Sequence, residues 1–141
     1  MKHRTLAFTV IFSGIFLFGV SMVMIGSILP LLKVRFGIGD TQAGTLFSIL
    51  PVGLLLGSVS FGPLVDKFNY RWILFLAASF LAVGFLSIAH AQSLILLQIS
   101  ILFFGWGGGI INGGTSALVS DLSKGRQKII NLNWLGMFYG M

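Results

Sequence analysis

Charged positions divide the chain into four long uncharged runs. The first, Thr5 to Leu32, lies between Arg4 and Lys33, and the second, Thr41 to Val65, between Asp40 and Asp66. The third, Trp72 to Ser120, lies between Arg71 and Asp121, and the fourth starts at Ile129 after Lys128 and stays uncharged to Met141. None of them alternates apolar and polar positions as the strands of a membrane barrel do. A backbone crossing hydrocarbon has to satisfy its own hydrogen bonds, so helices are predicted. One crossing takes about 20 residues. The first two runs therefore give one span each, and the third gives two, joined at the polar stretch Ala89-His90-Ala91-Gln92-Ser93. The expected spans are 5–32, 41–65, 72–89, 94–119 and an incomplete 129–141. The last run stops without a cap or a polar tail, which predicts a fragment whose fifth span continues beyond Met141.

Composition agrees with a membrane protein: 56% of the 141 residues are hydrophobic and 9% charged, with a mean hydropathy of +1.01. Lys2-His3-Arg4 could open a signal peptide, but the following run is too long and no Ala-x-Ala site closes it, so it is read as a first transmembrane helix. With no Cys there is no disulfide framework. Two His and three Asp scattered over both membrane faces predict no metal site, and no cofactor is expected. The net charge of +6 is spread over the ends of apolar runs and forms no basic face, so nucleic acid is not an expected partner. It reads as a topology signal instead. Lys2, Arg4, Lys67, Arg71, Lys124, Arg126 and Lys128 fall on one side of the membrane, against Lys33 and Arg35 on the other. That asymmetry predicts a multi-pass protein of the plasma (inner) membrane with a cytoplasmic N-terminus.

Within the spans, glycines recur at packing distance: Gly53 with Gly57, Gly105 with Gly109, and Gly109 with Gly113. Small residues four apart let helix backbones approach closely. Pro51, in the middle of span two, is expected to kink that helix unless neighbours compensate, and is a candidate gating residue. Pro30 is expected to shape the exit of span one. Polar residues at bilayer depth usually face a cavity or a partner helix. Gln98, Asn112, Thr115 and Asn133 are the candidate ligand contacts on that ground. Asn112 offers two donors and an acceptor, which suits a polyhydroxylated ligand or a hydrogen bond across helices. Trp106, midway along span four, suits stacking on the apolar face of a sugar or packing in the bundle, whereas Trp72 and Trp134 suit the interfacial belt. No acid lies inside spans one to four, so a coupling carboxylate is expected outside this stretch of chain.

The stretch Gly62-Pro63-Leu64-Val65-Asp66-Lys67-Phe68-Asn69-Tyr70-Arg71 resembles the major facilitator superfamily motif G-x-L-x-D-[RK]-x-G-[RK]-[RK], which lies in the cytoplasmic loop between helices two and three. Charge and hydropathy place the stretch in that same loop. Asn69 stands where the motif has Gly, and Asn tolerates a left-handed backbone better than most residues; Tyr70 replaces a basic residue. The resemblance implies an all-α integral membrane fold, the first part of a twelve-helix carrier. It also implies a gating latch formed by Gly62, Asp66, Lys67 and Arg71. The segments GWGGGIINGGTSALVSDL and GRQKIINLNWLGMFYGM resemble the fourth and fifth helices of the bacterial fucose and glucose symporter branch. That branch implies sugar transport, with a coupling proton or sodium ion as a further partner.

Together these features predict a secondary carrier that moves a small solute, a sugar on the second resemblance, by alternating access between two six-helix halves. The lipid bilayer and the absent C-terminal half are its required partners. The alternatives are a drug or other metabolite facilitator of the same superfamily, or a four-helix membrane protein that assembles with partners and does not transport. An enzyme is not expected: Gly114-Thr115-Ser116-Ala117 lacks the last Gly of a Gly-x-Ser-Gly nucleophile site, and His90 lies at the wrong depth to act as its base.

Overall fold

The computed structural model describes residues 2–122 and 126–140. They form α1 (Lys2–Ser27), α2 (Leu29–Phe36), α3 (Asp40–Lys67), α4 (Tyr70–His90), α5 (Leu94–Leu122) and α6 (Arg126–Gly140). The fold is all-helical over the described residues. Among the described residues three helices are long and apolar enough to cross a membrane, and a fourth crossing results if the bent pair α1 and α2 counts as one.

The first apolar run forms two helices whose axes differ by 44°. Pro30 stands at the start of α2, where it lacks an N–H and its ring would collide with the carbonyl one turn back. The helix then continues through Lys33 to Phe36, beyond the expected limit at Leu32. Gly37 ends it in the left-handed region, φ 62° and ψ 31°, donating its N–H to the Lys33 carbonyl. A residue with a Cβ would be strained there. At Pro51, by contrast, the expected kink does not break α3, which runs as one helix through both Pro51 and Pro63. Between α4 and α5 the chain turns at Ala91-Gln92-Ser93, and the Ser93 hydroxyl accepts the Leu96 N–H at 3.2 Å, capping α5.

The centre of the bundle is α5. Both α3 and α4 pack along it and scarcely touch each other, while α1 and α6 approach from the remaining side. Accordingly 56% of the most apolar stretch of α5 is buried, against 22% in α3 and in α4. Three consecutive glycines make this possible, because successive residues of a helix are about 100° apart. Gly107 faces α4, where a Cβ would stand 2.7 Å from the Ala77 carbonyl oxygen. Gly108 faces α1 and is covered by the Phe18 ring. Gly109 faces α3, where a Cβ would collide with the Leu54 carbonyl oxygen.

The α3–α5 contact is reciprocal. Gly57 lies under the Trp106 carbonyl, and Cβ atoms on Gly53 and Gly105 would each stand 2.7 Å from a carbonyl of the other helix, Leu102 and Leu50 respectively. Gly113, expected in the same stripe, meets only the Phe61 side chain at 3.4 Å. Gly84 provides the matching approach of α4, with a Cβ position 2.7 Å from the Phe104 nitrogen. Lipid tails are as apolar as these side chains, so close packing rather than water release holds the helices together. Phe104 fills the middle of one core cluster, with ring centroids 5.9 Å from Phe18 and 6.2 Å from Phe85. A second cluster joins Phe61, Ile73, Ala77, Ile110 and Ile111.

Candidate functional site

The loop motif closes α3 and opens α4. Phe68 ends α3 in an extended conformation and donates its N–H to the Leu64 carbonyl at 2.9 Å. Asn69 is extended too, φ −62° and ψ 141°, and its carbonyl accepts the Trp72 N–H at 2.9 Å as α4 begins. The left-handed backbone considered for this position is therefore not used, and a residue with a Cβ stands there without backbone strain. Tyr70 turns inward and packs on Phe61, ring centroids 6.1 Å apart. Asp66, Lys67 and Arg71 are exposed and make no ion pair among the described residues. Asp66 sits in the last turn of α3, where its own helix dipole disfavours a negative charge. Gly62, on the same helix, has open space at its Cβ position.

The polar residues of the spans divide by how they are satisfied. Ser21, Ser27, Thr45, Ser48, Ser60, Ser79 and Ser100 each donate to the carbonyl four residues earlier in their own helix. Thr115, buried to 2% exposure, does the same to Ile111 at 2.7 Å. A hydroxyl engaged this way needs neither a cavity nor a ligand. Ser58 reaches across instead, donating from α3 to the Gly109 carbonyl of α5 at 3.4 Å. The Asn112 amide, partly buried on α5, has no hydrogen bond among the described residues.

The five candidate contacts do not all converge. Nine residues separate Trp106 from Thr115, about two and a half helical turns, so they lie on opposite faces of α5. Trp106 packs against Phe80 and Phe103, centroids 5.9 and 6.2 Å away, and its buried indole N–H has no hydrogen-bond partner among the described residues. Gln98 and Asn112 are roughly 21 Å apart along the helix axis, too far to hold one small molecule. Gln98 instead lines a cavity of about 300 Å³ with Thr45, Ser48 and Val52 of α3. Asn133 is exposed on α6, which packs on α1 and α5, and Pro51 is exposed on α3. Asn112 and Thr115, three residues apart, are the candidates that helix geometry makes neighbours.

A feature the uncharged-run pattern did not single out stands at the other end of the bundle. Lys33, in the last turn of α2, donates to Asp40, which opens α3 just ahead of the uncharged run. Each charge also suits the dipole of its own helix end. The Lys33 hydrogen bond, reinforced by its charge, holds the Asp40 carboxyl below its ordinary range. Arg35 donates to the Ala89 carbonyl near the end of α4 at 3.5 Å. The bent end of the first span is thus tied to both α3 and α4. Pro30 beside two cations was the signal available in the sequence.

A helical bundle centred on a glycine-rich helix, with a charged loop between its second and third apolar runs, agrees with the motif resemblance. The Major Facilitator Superfamily description matches residues 11–141, and the chain belongs to that superfamily. Among curated relatives it is similar to the 4-hydroxybenzoate transporter PcaK of Pseudomonas putida, 29% identical over 133 residues, covering 90% of this chain and 29% of the relative. The protein of the same name from Pseudomonas aeruginosa is 30% identical over 131 residues, with the same coverage. The Quinolone resistance protein NorA of Staphylococcus aureus is 22% identical over 126 residues, covering 89% of this chain and 32% of the relative. The chain therefore spans about three tenths of the length of the relatives it matches. No solved structure matches it significantly. None of these relatives is a fucose or glucose symporter, so the branch expected from the fourth and fifth helices is not the one the relatives support.

Proposed function

We propose that this chain is the N-terminal part of a secondary carrier that moves a small organic solute across the plasma membrane by alternating access. The superfamily match over residues 11–141 is the observation that carries this reading. The cargo is an aromatic acid or a drug-like aromatic compound rather than a sugar, on the strength of the relatives named for 4-hydroxybenzoate and quinolones. Asn112 is the best-supported ligand contact of this part, because its amide is partly buried and has no partner among the described residues. Gly62, Asp66, Lys67 and Arg71 act as the cytoplasmic latch. An exposed carboxylate in the last turn of its own helix gains by meeting a helix N-terminus or a cation of the other half. The N-terminus is cytoplasmic, on the side richer in Lys and Arg.

Uptake by the complete carrier in proteoliposomes tests the cargo. Labelled 4-hydroxybenzoate, a quinolone, fucose and glucose are offered in turn, with and without a proton gradient. Saturable movement of one of the aromatic compounds and none of the sugars is expected; uptake confined to a sugar overturns the assignment.

A further inference from the structure

Both α3 and α4 pack along α5 and make little contact with each other. Between the end of α3 and the first turns of α4 lies a cavity of about 620 Å³, lined by Leu64 and Phe68 at the end of α3 and by Trp72, Phe75, Leu76 and Ser79 along α4. Buried Ile73 also lines it. Its walls project outward: Phe68, Trp72 and Phe75 are 57%, 67% and 66% exposed. The Ser79 hydroxyl donates to the Phe75 carbonyl at 2.9 Å, so it is already satisfied within its own helix. From Trp72 to Ser79 the groove runs roughly 10 Å down α4, and its volume lies within the about 300–1,000 Å³ typical of small-molecule sites.

Charge at the mouth is one-sided. Lys67 immediately precedes Phe68 and Arg71 immediately precedes Trp72, and both cations are exposed. Asp66 lies about 200° around α3 from Leu64, away from the groove. An apolar channel entered between two cations at the water-facing end of a hairpin suits an amphiphile with an acidic head. We propose that this groove seats one acyl chain of an anionic phospholipid, whose phosphate is held by Lys67 and Arg71. The bilayer supplies such a ligand from the leaflet that the positively charged side of the protein faces. The proposal rests on the membrane-spanning reading and is independent of the cargo.

The test uses the complete carrier, purified in mild detergent and supplied with phosphatidylglycerol or phosphatidylcholine, with bound lipid read by native mass spectrometry. At least fivefold preferential retention of phosphatidylglycerol is expected. The pair Lys67→Gln and Arg71→Gln should abolish the preference, and Ser79→Trp, which fills the groove, should lower retention of both lipids at least fivefold. Equal retention of the two lipids by the unmodified carrier, or undiminished retention in Ser79→Trp, overturns the proposal. A photoreactive side chain at Leu76 provides a second reading that leaves the groove open. Crosslinking to phosphatidylglycerol supports the site, whereas crosslinking to another segment of the carrier or to a second copy shows a protein occupant and refutes it.

Discussion

Replacing Gly109 with Ala tests the claim that α5 holds the bundle together through backbone contact. An added Cβ would collide with the Leu54 carbonyl oxygen and stand 2.9 Å from the Gly57 Cα, where ordinary contact begins near 3.4 Å. The two helices must separate by at least half an ångström, a distance set by backbone on both sides, which side-chain rotation cannot relieve. Helix propensity favours the substitution by about 1 kcal/mol. Against it stand about 1–3 kcal/mol of overpacking, towards the upper end because the collision is with backbone. The expected net loss is about 1–2 kcal/mol, since that overpacking outweighs the propensity gain. Gly62→Ala is the control, since its Cβ position is open and the propensity gain stands unopposed. Thermal unfolding in detergent, followed by circular dichroism, compares the two variants with the parent. A Gly109→Ala protein that melts at or above the parent temperature, while Gly62→Ala melts above it as its unopposed propensity gain requires, would refute the reasoning.

Three further outcomes follow from the same geometry. Asp66→Ala in the complete carrier should lower turnover about tenfold or more while changing substrate affinity little, because a latch acts on the exchange between states; unaltered turnover in proteoliposomes removes the latch role. Asn112→Leu should raise KM about tenfold with little change in melting temperature, whereas Thr115→Val should leave KM unchanged, its hydroxyl being bonded within its own helix. Reversed KM effects would transfer the contact to Thr115. Asp40 has a folded-state pKa held below its unfolded value by Lys33, so its contribution to stability is present above about pH 4 and is lost as pH falls through the lowered value. Asp40→Asn should remove that part of the acid-side decline, and identical melting curves of the two proteins across that range would show that the exposed pair does not contribute.

Much of the architecture was legible because bilayer depth and backbone hydrogen bonding leave few solutions. Asp40, Asp66 and Arg71 stop the apolar runs almost where α3 and α4 begin or end. The hairpin was visible in Ala89 to Ser93, although the capping hydroxyl of Ser93 appears only once α5 is formed. Pro30 and Pro51 carry the same local chemistry and gave different results: one accompanies a 44° bend, while the other lies within an unbroken helix. Pro51 sits on an exposed position of a helix that is anchored along its opposite side, at Gly53 and Gly57, to α5. Local propensity names where a helix is weakest, and the neighbouring packing decides whether it bends there.

The sequence by itself determined that the chain is a helical membrane protein, which loop carries the superfamily motif, and that glycine spacing serves helix approach. Only the tertiary structure decided which helix is central and which polar groups are free. Gly107, Gly108 and Gly109 are alike as letters, and each meets a different helix because rotation by about 100° per residue gives every position its own neighbour. Thr115 and Asn112 likewise look equally available in the sequence. In the folded helix the Thr115 hydroxyl turns back to the Ile111 carbonyl, whereas the Asn112 amide makes no hydrogen bond among the described residues, so the distinction exists only once the helix and its neighbours are in place. Trp106 and Gln98 were separated from that pair by direction and distance along α5, quantities that exist only after the chain has folded.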